Sequence, residues 1–173
     1  MIEKVLVTLS KDEMRQAAHA GIERRLHALE HGRKSTHPDT PDHLQRWYQS
    51  EIVGALGEYA VAKAFGVEWD PAIGRVNAHD VLNYEVRTTE QPKPVLRYRT
   101  HNDPRNKYIL CQSRGNKILI HGWQIGQTIM DLGYMEFDDV YTAGPDQLYS
   151  IFDLPVELEL GDTVQLYRPT PRR

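Results

Sequence analysis

The sequence has no run of apolar residues approaching the roughly 20 that a membrane-spanning helix requires. Its longest, 108–111 and 118–120, are strand-sized, so no membrane partner is expected. It also lacks a basic leader followed by an apolar stretch: Met1-Ile2-Glu3-Lys4 reads as the start of an alternating strand, not a secretory signal. With a single cysteine, Cys111, there is no internal disulfide to form, and the expected location is a reducing cytoplasm. Basic charge is not in excess either. Lys and Arg number 21 against 24 Asp and Glu, a net charge of −3 and pI near 6.2, so the chain is not built to coat nucleic acid and any DNA contact must be a local patch. No glycine-rich phosphate cradle and no Ser or Cys nucleophile motif occurs.

What is present suffices for one well-buried core. The 173 residues are 40% hydrophobic and 26% charged, ordinary for a folded domain, and a single domain over 1–173 is expected. Val5, Val7 and Leu9 alternate as in a strand. Ser10 with Glu13 forms a capping box that starts a helix, running to about His31 and ended by Gly32. Its apolar side is expected to carry Met14, Ala18, Ile22, Leu26 and Leu29, with Arg15, Glu23, Arg24 and Arg25 facing water. The polar stretch 32–41 contains two prolines and reads as a loop.

Asp42 is the expected cap of a second helix that reaches Phe65 and stops at Gly66. Leu44, Tyr48, Ile52, Ala55, Tyr59 and Ala62 share one stripe of it. Short strands follow at 78–82, 84–89, 95–100, 107–112 and 117–125, then a helical or irregular piece at 127–132 and a helical turn at 145–149. Val156, Leu158 and Leu160 alternate, as do Val164 and Leu166, before a Pro- and Arg-containing tail. The expected fold is α+β, with a central mixed, mostly antiparallel sheet flanked by helices.

Chemistry concentrates around three acids. Glu51 and Glu58 lie seven residues apart, about 20° from superposition down a helix axis, and both border the apolar stripe. A carboxylate losing water there needs a cation, a metal or several donors; a rim salt bridge is the plain alternative. After it comes Asp80-Val-Leu-Asn-Tyr-Glu85-Val-Arg87. Asn83 suits a bend, and alternation puts Tyr84 and Val86 on one face and Glu85 and Arg87 on the other. Asp80 and Glu85 can then converge, and with Glu58 would offer the hard oxygen ligands that Mg²⁺ or Mn²⁺ prefers.

Gly57-Glu58-Tyr-Ala-Val-Ala on a helix, then Asp80, then Glu85-Val86-Arg87, resembles the PD-(D/E)XK nuclease superfamily over about 42–125. The resemblance implies a restriction-endonuclease-like core, with 1–32 as an N-terminal strand and helix and 126–173 as a C-terminal irregular and β segment. It also implies Glu58, Asp80 and Glu85 as metal ligands for Mg²⁺ or Mn²⁺, and metal-dependent hydrolysis of DNA phosphodiesters. Arg87 stands where the family has lysine. A guanidinium stays protonated and cannot serve as a base, but it can hold phosphate and stabilise developing negative charge; Lys93 is a second candidate for the lysine's place. Arg97, Arg99, Arg105 and Lys107 are the expected DNA grip, with Arg33 and Lys34 in support. The alternative is a catalytically inactive nuclease-fold module that binds DNA or a protein, its carboxylates and Arg87 forming a structural ion cluster. A homodimer is left open.

Zinc is disfavoured. His27 and His31 have helical i, i+4 spacing, but the segment reads His27-Ala-Leu-Glu-His31, without the glutamate after the first histidine that a metalloprotease helix carries. Trp47, Trp69 and Trp123 are expected as core or rim aromatics rather than base-stacking platforms.

Overall fold

The computed structural model describes residues 3–32, 43–75 and 78–154. The expected cap at Asp42, the support from Arg33 and Lys34, and the alternation from Val156 to Leu166 lie outside the described residues. The order is β1 (Val5–Thr8), α1 (Lys11–Glu30), α2 (His43–Phe65), β2 (Tyr84–Thr89), β3 (Leu96–Arg99), β4 (Lys107–Arg114), β5 (Lys117–Ile125), α3 (Gly126–Leu132), β6 (Tyr134–Phe137) and β7 (Val140–Ala143). A 3-10 turn follows at Pro145–Gln147 and another at Ile151–Asp153.

The class is α+β, and the strands divide into two sheets. One is four-stranded and mixed, in the order β1-β5-β4-β2, with β2 parallel to β4 and the other pairs antiparallel. The other is three-stranded and antiparallel, in the order β3-β7-β6. The sequence pattern suggests one central sheet; the structure instead sends Leu96 and Tyr98 of β3 into a second core with Tyr108, Leu110, Ile129 and Leu148. A strand pattern specifies which residues face inward, but not which strand becomes the neighbour. The expected strand at 78–82 is reduced to one bridge, Val81 to Tyr84, because the chain reverses there with Leu82 at φ 53°.

Helix α2 packs on the first sheet and α1 packs on α2. The main core therefore joins Ala55, Val61, Ala62 and Phe65 of α2 to Val86, Ile109, Cys111, Ile118 and Ile120 of the sheet. Each fully buried aliphatic there contributes about 1.5–3 kcal/mol. The capping box forms as expected: the Glu13 N–H donates to Ser10 Oγ at 3.2 Å and the Ser10 N–H to Glu13 Oε2 at 2.6 Å.

The buried side of α1 is rotated from the expected one. Ala17, Ala20, Gly21 and Arg25 are buried, while Ile22, Leu26 and Leu29 are about 40% exposed. Small residues decide this. At Gly21 a Cβ would stand 2.8 Å from the Ile52 backbone, so the two helices meet at van der Waals contact of their main chains. That approach turns Arg24 and Arg25, expected in water, toward α2. Arg25 is 1% exposed, its guanidinium over the Trp47 ring.

Candidate functional site

The reversal at Asp80 to Tyr84 builds the first part of the site. The Asp80 and Val81 amides donate to the Tyr84 carbonyl at 3.1 and 3.2 Å, and the Tyr84 amide returns a bond to Val81 at 3.0 Å. Asp80 is thereby folded back on β2, where its Oδ2 accepts from the Val86 amide at 2.7 Å and from Arg87 Nη1 at 3.4 Å. Glu85 accepts from Arg87 Nη2 at 3.3 Å and lies 2.9 Å from His79 Nδ1. Arg87 thus ties the two acids together, with its guanidinium 5.4 Å from the Tyr108 ring.

Glu58 sits on α2, whose Gly57 abuts β2 so closely that a Cβ there would lie 1.8 Å from Thr88 Oγ1. Glu58 is 4% exposed. Arg24 reaches it from α1: Nη1 donates to Oε1 at 2.7 Å and Nη2 to Oε2 at 2.5 Å, while Nε donates to the Pro71 carbonyl at 2.8 Å. This is a fork-to-fork ion pair, the strongest geometry open to these groups. Burial holds the Glu58 carboxyl above its ordinary range even with Arg24 on both oxygens. Burial acts to lower Arg24, but Glu58, Asp80 and Glu51 together leave it raised.

Alternation along β2 sets Val86 and Thr88 toward α2 and Glu85 and Arg87 toward the opposite face, where Glu85 is in register with Tyr108. Glu58 and Glu85 are consequently carried on opposite faces of an edge strand, with Asp80 at the rim between them. Asp80 feels both. Burial first, then the charge of Glu58 and more weakly that of Glu85, push its carboxyl up to about 7. Among the described residues no three His, Cys, Asp or Glu side chains form a group able to hold a metal ion. The expected set of Glu58, Asp80 and Glu85 is brought into electrostatic contact but does not fit a divalent cation as arranged. Its acids are bonded by Arg24, by Arg87 with the Val86 amide, and by His79 with Arg87.

A cleft of about 310 Å³ opens over the cluster, lined by Arg24, His27, Glu51, Arg75, Asp80 and Glu85 among others. Glu85 also borders a second hollow of about 490 Å³ with His79, Asn102, Asp103, Asn106 and Tyr108.

The expected DNA grip is distributed differently from the sequence reading. Arg97 and Arg99 lie on β3 of the second sheet, away from the β2 edge strand. Arg97 makes two bonds to Glu136, at 2.8 and 2.9 Å. Arg99 is 3.7 Å from Asp139, and Arg105 bonds Asp103 at 3.0 and 2.7 Å. Lys107, at the start of β4, stands 5.5 Å from the Tyr84 ring. Lys93 is exposed in the segment joining β2 and β3. Two members of the cluster escaped the sequence reading. Arg24 was masked by its place on the polar side of an apparent amphipathic stripe, where the small residues Ala17, Ala20 and Gly21 were the only signal. His79 had only its adjacency to Asp80.

Comparison with known protein families, with curated proteins and with solved structures gives no match.

Proposed function

We propose that the chain is a protein-interaction module on a nuclease-like scaffold, with a restriction-endonuclease-like core serving as framework and not as a cleaving centre. One observation carries this: the three acids expected to hold metal, and three of the four cations expected to grip phosphate, are paired with charges of the protein itself. Glu58 is taken by Arg24, Asp80 and Glu85 by Arg87, and Arg97, Arg99 and Arg105 by Glu136, Asp139 and Asp103. A phosphate contact gains affinity by releasing counterions from cations free to approach it, and Arg97 and Arg105, each forked to a carboxylate, must first give up that partner. For exposed pairs that exchange costs about 0–1 kcal/mol. A protein partner requires no such exchange. The second sheet offers it an edge strand, β6, with Tyr134 75% and Met135 51% exposed beside Leu132 at 65%. Such an edge can accept an added strand.

The test is DNA binding and cleavage by the purified chain at low salt, with and without Mg²⁺ or Mn²⁺. The module reading expects neither saturable binding nor cleavage of single- or double-stranded DNA. Cleavage that requires the metal and disappears in Glu85→Ala would replace it with the Mg²⁺-dependent nuclease. Metal-independent, salt-sensitive binding weakened by Arg97→Ala would replace it with a DNA-binding module. One observation favours the nuclease: Asp80, pushed up to about 7, is a carboxyl that a divalent cation would stabilise in its charged form.

A further inference from the structure

Between Ile118 and Leu154 the sequence contains Asp131, Glu136, Asp138, Asp139, Asp146 and Asp153 and not one Lys or Arg. The fold gathers most of these acids around one edge of the second sheet. Asp131 lies in the last turn of α3, Glu136 on β6, and Asp138 and Asp139 in the turn to β7. Asp146 joins them, because Gln147 Nε2 donates to the Leu132 carbonyl at 2.8 Å and pins the Pro145–Gln147 turn to the end of α3. Two cations answer from β3, on the far side of β7: Arg97 bonds Glu136 and Arg99 faces Asp139. Asp131 accepts only from the Gln127 side chain, at 2.9 Å. Among the described residues no Lys or Arg forms an ion pair with Asp131, Asp138 or Asp146.

The same edge is apolar. Leu132, Tyr134 and Met135 are each more than half exposed, and among the described residues β6 pairs on one side only, with β7. Exposed apolar side chains on an open strand edge invite a further strand, and the flanking charge decides which. A second copy of β6 would set Asp131, Glu136 and Asp138 against the same acids, and like charges across a strand pair are destabilising. A phosphate backbone meets the same repulsion. A strand that alternates apolar residues with Lys or Arg does not. Its successive side chains fall on opposite faces, so one set covers the exposed apolar residues while the other reaches the unpaired aspartates.

We propose that β6 is a docking edge for a basic, extended segment of a partner protein, added as a further strand to the second sheet. Leu132, Tyr134 and Met135 are its apolar contacts, and Asp131 and Asp138 its charge contacts. This rests on the protein-interaction reading and names the partner's chemistry. Main-chain hydrogen bonds to β6 supply affinity that is blind to sequence, and the alternating side chains with their charge supply the choice of partner.

The experiment is fluorescence anisotropy at low salt, titrating the full chain into labelled peptides of about ten residues, the length of a long strand. One peptide alternates Val and Lys, a second alternates Val and Glu, and a third has the composition of the first with its Lys residues in one block. The variants are Tyr134→Ser/Met135→Ser and Asp131→Asn/Asp138→Asn, all at exposed positions and each checked for folding by circular dichroism. Wild type should bind the alternating Val and Lys peptide saturably and at least tenfold tighter than either of the others. Tyr134→Ser/Met135→Ser should weaken it at least tenfold. Asp131→Asn/Asp138→Asn should weaken it several-fold and flatten its salt dependence. Equal affinity for the block peptide overturns the inference, since an acidic surface would then be attracting any cation. Equal affinity for the Glu peptide, or variants that bind like wild type, also overturns it. A dimer in sedimentation that Tyr134→Ser/Met135→Ser dissolves gives the edge to a second copy and overturns it too. Absence of all peptide binding overturns it while leaving the module reading intact, provided DNA is neither bound nor cleaved. Binding or cleavage of DNA removes the module reading itself, whatever the peptides do.

Discussion

Arg24 and Glu58, thirty-four residues apart, are joined by two bonds of 2.7 and 2.5 Å between α1 and α2. The pair fastens the outer helix to the inner one at the point where the inner helix meets β2. It also converts the most buried acid among the described residues into half of a closed ion pair.

Arg24→Ala should therefore be strongly destabilising. Breaking a buried pair by removing one partner leaves an uncompensated charge, at about 3–5 kcal/mol, and should lower the melting temperature by roughly 10 °C. Replacing both residues by methionine should recover most of the loss, since two apolar side chains of similar reach need no counter-ion. A double variant as unstable as Arg24→Ala would show that Glu58 is not the source of the penalty.

Asp80 gives the protein a pH signature. Its folded value of about 7 lies above the ordinary 3.8, so the native state holds this proton more tightly than the unfolded chain does. Its contribution to stability is complete below the unfolded value and is lost as pH rises towards about 7. Asp80→Asn keeps an acceptor for the Val86 amide and removes the charge. Thermal melts of this variant should be flatter between pH 4 and 7 than those of wild type, and higher at pH 8. A variant melting lower than wild type at pH 8 would show that Asp80 is stabilised as the anion.

Gly57→Ala tests how closely α2 rests on β2. The new methyl would overlap Thr88 Oγ1, and overpacking of this kind costs about 1–3 kcal/mol. Adding Thr88→Ala should rescue part of it, a non-additive pair. Denaturant melts in which the two changes simply add would place the helix further from the strand.

Ser10→Ala removes one half of the capping box at α1, and should cost about 1 kcal/mol. Because Glu13 also accepts from Lys63 at 2.8 Å, Glu13→Ala should cost more than Ser10→Ala. Equal losses in urea titrations would assign the effect to the cap alone.

Local chemistry made several features legible in the sequence. Ser10 and Glu13 announced the helix start because a cap involves residues three apart. Gly66 marked a helix end because its φ of +68° suits glycine, and the alternation Tyr84, Glu85, Val86, Arg87 gave the two faces of β2. Charge and burial at Glu58 identified a buried acid in need of a partner. Only the tertiary structure decided who that partner is. Hydrophobic periodicity pointed α1 at Ile22, Leu26 and Leu29, but helix pairs seat where backbones can approach most closely, and Ala17, Ala20 and Gly21 allowed that approach on the other side. That rotation carried Arg24 to Glu58, and it turned what the sequence offers as three metal ligands into carboxylates paired with the protein's own cations.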